Sequence, residues 1–592
     1  MDPDHLRQAI DAEIKSLEAS IQALRYRRNA LAPFSSLPTE VITTIFSFLH
    51  IPVTLSSSLG EQPKRSEQLA WLRVAHVCHQ WREIALNHPL LWNHVDFTIF
   101  SSAGAAEILS RAKRVPLYLE ARVPCHFWDN TRFSALQKEL QDHVSQISHL
   151  RISAESFRLH RIFKGLVLPA PTLELLSLSG EENTTVSGNR TGRERVVVPD
   201  TLFDGSTPRL SYLELCNCDT SWNSPLLWGL KHLYMRTPFD KPDLSVWLDA
   251  LGQMPQLKTL VLCWASPVAP PGASLSPDVD RTVTLPSLTL FDISSPARDC
   301  GLALAHLILP ALTSLCLDAK SYCQDGSDVQ EILPYVARHA HGPQDAQPLQ
   351  SMWFSRSETR AKVLAWTLPD MDVDFPDQFA IFESMPSARV AFSVVGDSRS
   401  PGFGTVVFDL VTKALPLDGI VTLTAQNLEM TLYRHFWLLN APRWPLLQRV
   451  RLTPIEERGF MEMLLDDHGG RESPLLPSLT TLILDDTVLL ERRTLHLCDA
   501  LMKRVEQGVA LETLDLRKCL ATSHAIELLS EIVVDVLGPA ETFETDSQIR
   551  SESYARGICL SDDEDENSVV DEDNASEEDS ADTGSDDEVW DT

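Results

Sequence analysis

Leu210-Ser-Tyr-Leu-Glu-Leu215, Leu230-Lys-His-Leu-Tyr-Met235 and Leu257-Lys-Thr-Leu-Val-Leu262 share one spacing of apolar side chains. The second half of each copy places two apolar residues two positions apart, the period of a short β-strand buried on one face. The pattern, or a close apolar variant, returns at 173–178, 288–293, 312–317, 349–354, 447–452, 479–484 and 511–516, with 147–152 as a further copy. Amphipathic helical segments stand between several copies, at 244–251, 329–337, 495–505 and 525–536. Short strands alternating with helices imply a parallel arrangement, and strands that share one pattern fold most economically as a solenoid, each unit burying its Leu positions on its neighbours. An ordinary α/β domain is the alternative. Residues 355–445 fit the repeat worst and are expected to hold insertions.

On those copies the chain resembles the leucine-rich-repeat family, in its irregular form. The Asn or Cys that usually follows the third apolar position is mostly absent, Asn217 and Cys519 being the nearest matches. If the second and third apolar residues of a copy face inward, the residue between them and its two outer neighbours face the concave groove. That rule selects His232, Tyr234, Arg236, Trp353, Arg449, Arg451, Asp515 and Arg517 as target-binding candidates, aromatic and Arg side chains being the types that anchor protein interfaces. Arg236, Arg449 and Arg451 point to an acidic or phosphorylated partner segment, or to the chain's own acidic tail.

Upstream lies a different pattern. Pro38 suits the start of a helix, and Val41, Ile42, Ile45, Phe46, Phe48 and Leu49 follow at helical spacing, a wider stripe than one small core needs. A second segment repeats it with Val74, Val77, Cys78, Trp81, Ile84 and Ala85, then His88-Pro-Leu-Leu-Trp92. Such a unit cannot cover all of this apolar surface alone, so part should meet either another protein or the rest of the chain.

The ordered blocks Leu37-Pro38-x-Glu40-Val41, Ile45-Phe46-Ser47-Phe48-Leu49, Val77-Cys78-x-x-Trp81-Arg82-Glu83-Ile84-Ala85 and Pro89-x-Leu91-Trp92 resemble the F-box family. The Ser-rich stretch 51–69 is longer than the usual connection and reads as a loop insertion. The resemblance implies docking on the Skp-type adaptor of cullin–RING (SCF-type) ubiquitin ligases, with the following domain presenting a protein substrate. The adaptor-facing positions it implies are Leu37, Pro38, Glu40, Ile45, Phe46, Leu49, Val77, Cys78 and Trp81. The alternative is an interaction scaffold outside ubiquitin ligases, chromatin-associated through an acidic tail.

Ile10, Ile14, Leu17, Ile21, Leu24 and Leu31 fall on alternating four- and three-residue steps, with Arg28 in the missing register and Glu13, Lys15, Glu18 and Arg25 flanking. This heptad seam offers self-association as a short coiled coil, and equally a single helix lying along the next module. Residues 561–592 hold sixteen Asp or Glu and no Lys or Arg, about half of the formal charge of -31. That tail is expected to be disordered, with Ser561, Ser576 and Ser585 suiting kinases that favour acidic sites. The organisation expected is a heptad helix over 1–33, an all-α F-box-like module over 34–98, an α/β leucine-rich-repeat-like solenoid over 99–540, and an acidic tail over 541–592.

The remaining charge balance argues against a broad nucleic-acid or anionic-membrane surface, which needs clustered Lys and Arg. Eleven cysteines without a C-x-x-C pair read as reduced intracellular thiols. The opening Met-Asp-Pro-Asp-His lacks the apolar core of a signal peptide, so an intracellular location, cytoplasmic or nuclear, is expected, and the sequons at Asn183 and Asn189 read as chance matches. No phosphate-loop, serine-hydrolase or zincin motif occurs. His76, Cys78 and His79 lack metal spacing, Cys216 and Cys218 share one strand face without a second pair, and Gly396, Gly402 and Gly404 read as a turn. No catalytic residue, cofactor or metal is assigned, and the chain is expected not to be an enzyme.

Overall fold

The computed structural model describes residues 3–48, 69–123, 130–181, 195–272, 275, 281–310, 313–342, 347–357, 359–369, 371, 388–396, 402–426, 434–452, 454–465 and 474–556. Its N-terminal region is helical: α1 (Pro3–Ala30), a 3-10 turn Pro33–Ser36, α2 (Thr39–Ser47), a second 3-10 stretch Ala70–His76, α3 (His79–Leu86) and a third turn Pro89–Trp92. The insertion expected between the two motif blocks, and the acidic stretch 561–592, lie outside the described residues.

Beyond Trp92 one seventeen-stranded sheet carries the chain. In chain order its strands are β1 (His94–Asp96), β2 (Leu117–Val123), β3 (Ile147–Glu155), β4 (Leu175–Glu181), β5 (Tyr212–Cys216), β6 (His232–Arg236), β7 (Thr259–Cys263), β8 (Leu290–Pro296) and β9 (Ser314–Lys320). They continue with β10 (Ser351–Arg356), β11 (Arg360–Trp366), β12 (Val390–Val395), β13 (Thr422–Gln426), β14 (Arg449–Leu452), β15 (Thr481–Leu489), β16 (Thr513–Ala521) and β17 (Asp535–Leu537). Up to β9 and again from β14, each strand pairs in parallel with its predecessor, the arrangement of a repeat solenoid.

The repeat spacing positions this sheet residue by residue. Leu150, Leu176, Leu213, Leu233, Leu260, Phe291 and Leu315 are register partners in turn, and the row resumes through Val390, Ala365, Met352, Leu423, Val450, Leu482 and Leu514. All of them are buried in one core that also takes in Ile42 and Phe46 of the helical module. Two strands precede the first legible copy, because Leu117, Leu119 and Ala121 of β2 alternate without the leading Leu of the repeat.

Between β9 and β13 the order breaks. β9 pairs with β12, which pairs antiparallel with β11, which pairs antiparallel with β10, which in turn lies parallel to β13. The chain therefore overshoots to β10 and fills the gap on its way back. A helix, Phe403–Ala414, then crosses this block, so close that a Cβ on Gly404 would overlap the carbonyl oxygen of Ser357. Gly404 is thus a helical contact glycine and no turn, whereas Gly402, at φ +80°, supplies the left-handed entry to that helix.

Two other expectations are corrected. The helix placed at 525–536 is shorter, Ser523–Ser530, and its last residues form β17. The tail expected from 541 begins as folded chain: Phe543 bonds Ala521 and Ser523 through its backbone, and a helix Asp546–Arg556 seats Ile549 on Val488, Leu490 and Leu520. Those apolar residues fall at strand ends outside the Leu-x-x-Leu-x-Leu copies.

Candidate functional site

Two surfaces qualify as sites: the outer face of the helical module and the concave face of the sheet. In α2, Ile42 and Phe46 are one turn apart and buried, while Val41, Ile45 and Phe48 form a second stripe that stays in water, Phe48 at 80% exposure. α2 is therefore apolar on two faces, one spent on the core and one open. The inner face closes on aromatics: Phe46 lies 5.3 Å and Phe34 4.6 Å from the Trp81 ring, and Trp71 meets Trp92 edge-on at 5.3 Å. Trp92 Nε1 donates to the Ala85 carbonyl at 2.7 Å, and the guanidinium of Arg111, from the first helix of the solenoid, lies over the Trp92 ring at 4.5 Å.

Of the adaptor-facing positions implied by resemblance, Pro38, Glu40, Ile45 and Val77 are exposed. Leu37 and Trp81 are half-buried against the core, and Cys78 is half-buried with its Sγ capping α3, accepting from the Trp81 N–H at 3.5 Å. Phe46 is a correction: at 1% exposure its side chain is buried in the core and not on the open face of α2. Leu49 lies outside the described residues. Val41 and Phe48 were missing from that set, although the spacing of Val41, Ile45 and Phe48 already marks one helical face.

On the concave face His232, Tyr234 and Arg236 are half-buried, as expected of groove residues. Tyr212 joins them, its ring 5.0 Å from Tyr234 and 6.0 Å from His232, and further along Tyr118 stacks on His149 at 4.2 Å. His232 Nδ1 sits 3.1 Å from Thr259 Oγ1. Burial holds both imidazoles below their ordinary value, helped at His232 by Lys258 and Lys231 and at His149 by Arg151. At the first strands Asp96 and Glu120 are register partners, and burial raises both carboxyls, Glu120 further through Asp96. Tyr118, Asp96 and Glu120 stand on the two strands that precede the first copy, whereas Tyr212 and His149 satisfy the same spacing rule as His232 and could have been found by it.

Three groove candidates are corrected. Trp353 is 5% exposed, packed with Cys316, Leu364, Trp366, Ala388 and Ala391, because antiparallel β11 brings Leu364 and Trp366 to the concave side; its Nε1 donates to Gln426 Oε1 at 3.0 Å. Arg451 is buried with its Nε donating to Asp485 Oδ2 at 2.6 Å, a carboxylate that Lys518 approaches to 3.8 Å. Asp515 is buried too: burial raises its carboxyl, but the hydrogen bonds from Arg517, one at 2.7 Å, more than offset this and leave it low. Arg517 itself stays exposed and Arg449 half-buried. The cationic residues at this end are thus matched by Asp485 and Asp515.

The weaker sequence-level candidates also find places. Asn217 follows β5 at φ 52°, and Thr237 and Trp264 repeat that left-handed step after β6 and β7. Their backbone N–H groups donate in turn to Arg236, Cys263 and Ser294, while Asn217 Nδ2 donates to Gly180 O at 3.0 Å. The step at Asn217 puts Cys216 on the concave side and Cys218 in the core, its thiol pushed up to about 12 by burial, so the two do not share a face. Cys519 Sγ lies 3.1 Å from Leu484 O, a contact to the neighbouring strand. Among the described residues no three His, Cys, Asp or Glu are grouped to hold a metal, and no helix is long and apolar enough to cross a membrane.

Residues 34–98 form an F-box-like domain. The match takes in every motif block from Leu37 to Trp92 and covers the module whose open stripe is described above. No curated protein matches the chain. Among solved structures, an internalin from Listeria monocytogenes aligns at 12% identity over 60% of this chain and 84% of that one, with a TM-score of 0.23, too low a likeness to bear on function.

Proposed function

We propose that this chain is a non-catalytic substrate-recognition subunit of a cullin–RING ubiquitin ligase. The F-box-like domain docks a Skp-type adaptor through the open stripe of α2, with Pro38, Glu40 and Val77, and the concave sheet holds a target protein. Its contribution to rate is proximity, raising the effective concentration of target lysines around the ubiquitin donor.

The observation that carries this reading is the two-faced α2 inside an F-box-like domain. Fully burying an apolar side chain contributes about 1.5–3 kcal/mol, so three that stay open imply a partner. On the concave side Tyr212, His232 and Tyr234 are the expected anchors, and Trp353, Arg451 and Asp515 drop out. Co-purification with a Skp-type adaptor tests the docking step: Ile45→Asp should reduce capture at least tenfold while the circular dichroism of the sheet persists. A wild-type chain that captures no adaptor would sink the proposal. Deleting 557–592 should leave capture unchanged.

A further inference from the structure

α1 presents Ile10, Ile14, Leu17, Ile21 and Leu24 to water along its length, each about half exposed, and does not lay them on the F-box-like domain. Its described contact with that domain is at the far end, where Tyr26 meets His79 edge-on at 4.8 Å. In heptad terms Arg7, Ile14, Ile21 and Arg28 occupy the a positions and Ile10, Leu17 and Leu24 the d positions, with Leu31 just past the helix end. The seam is thus apolar from Ile10 to Leu24 and is bounded by Arg7 and Arg28. At the e and g positions the charges are divided by sign: Asp4, Asp11, Glu13 and Glu18 come first and Arg25 and Arg27 follow, while Arg7 and Arg28 lie in the seam and Lys15 on the outer side.

That division selects an orientation. Two parallel copies in register would stack Arg7 on Arg7 and Arg28 on Arg28 inside the seam, and set Glu13 beside Glu18 of the second copy on both flanks. Two antiparallel copies set every a position against a d position: Ile14 on Leu24, Ile21 on Leu17, and the aliphatic stem of Arg28 on Ile10. In that register Asp11 faces Arg25 and Glu13 faces Arg27 of the second copy, each twice by symmetry. The adverse contact is Glu18 near its own copy at the dyad. Like charges in a seam specify against an arrangement more strongly than flank pairs favour one, and here both act in the same direction.

We propose that α1 pairs antiparallel with α1 of a second copy of this chain, in the register that sets Ile14 on Leu24. A 28-residue helix is about 42 Å long at about 1.5 Å per residue, so the pair would hold two F-box-like domains at opposite ends of a rod. The inference stands on α1 alone and does not depend on adaptor binding.

The test is the mass of the full chain in solution at tens of micromolar. The expected mass is twice 66.2 kDa. Arg25→Glu/Arg27→Glu and Asp11→Arg/Glu13→Arg should each give a monomer with unchanged circular dichroism, and mixing the two variants should restore the dimer. Ser20→Cys, at the dyad in this register, should form an intermolecular disulfide under mild oxidation that the wild-type chain does not. A monomeric wild type, a trimer, a dimer indifferent to charge reversal, or cross-linking at Leu17→Cys without Ser20→Cys would each overturn the proposal.

Discussion

Asn217 does three things from one position. Its backbone takes the left-handed step after β5, its side-chain N–H₂ ties back to Gly180, and its Oδ1 accepts from Thr237 Oγ1 one repeat ahead. Asn217→Ala loses both side-chain bonds and places a Cβ-bearing residue without local polar compensation at positive φ. The expected cost is about 1–2 kcal/mol, read as a lower urea midpoint, with Asn217→Asp intermediate. His339 offers a pH-dependent counterpart. Its Nε2–H donates to Thr313 O at 2.8 Å, and burial, with Arg389 and Arg338 nearby, holds the imidazole below its ordinary 6.5 despite that bond. The unfolded chain therefore takes up a proton near pH 6.5 that the folded chain refuses, so this contribution to stability is present above that pH and fades below it. Thermal scans of His339→Gln against wild type should differ most near neutrality, where the wild type is favoured, and converge as pH falls towards 5.

At the scale of elements, most strands were legible in the sequence and their surroundings were not. The inward pair of each copy is a local, two-residue signal, and the buried row from Leu150 to Leu514 follows from it. Trp353 misled because its exposure is set by β11, which carries no repeat pattern: Arg360–Trp366 is buried on both faces after its first residue, although one face carries Arg360 and Lys362, and it reads as a strand only once its neighbours are in place. The same holds at the C-terminal end, where polar composition concealed a helix that docks through Ile549 and, through Asp546 Oδ2, accepts from the Glu491 N–H at 3.1 Å. Ile549→Asp should free that helix, giving protease cleavage near 546–556 with the sheet's circular dichroism intact. Protection equal to wild type would show that the helix is held by something other than this contact. Of the F-box-like stripe, spacing identified both faces of α2 and could not say which one closes inward, since that depends on where Trp81 arrives.

At the scale of the molecule, the apolar core is continuous from Ile42 to Val533. The F-box-like domain is not tethered to the solenoid by a linker: the turn Pro89–Trp92 leads through Asn93 into β1, and Trp92 contacts both Trp71 and Arg111. The strand face that carries Tyr212, His232 and Tyr234 is thereby kept at a set distance from the open stripe of α2. Repeat arrays ordinarily come apart from their ends, one unit at a time, since each contacts only its neighbours. The displaced order of β10, β11 and β12 alters what pulling on either terminus would do. Drawn from the C-terminus, the strands down to β13 can peel singly, but the next along the chain, β12, is not at the new edge; it lies between β9 and β11. Drawn from the N-terminus, the strands up to β9 can peel, and the next, β10, lies between β11 and β13. From either side a strand must be torn from two ladders at once, so the middle of this array should resist pulling more than either end, read as a higher-force step in single-molecule unfolding.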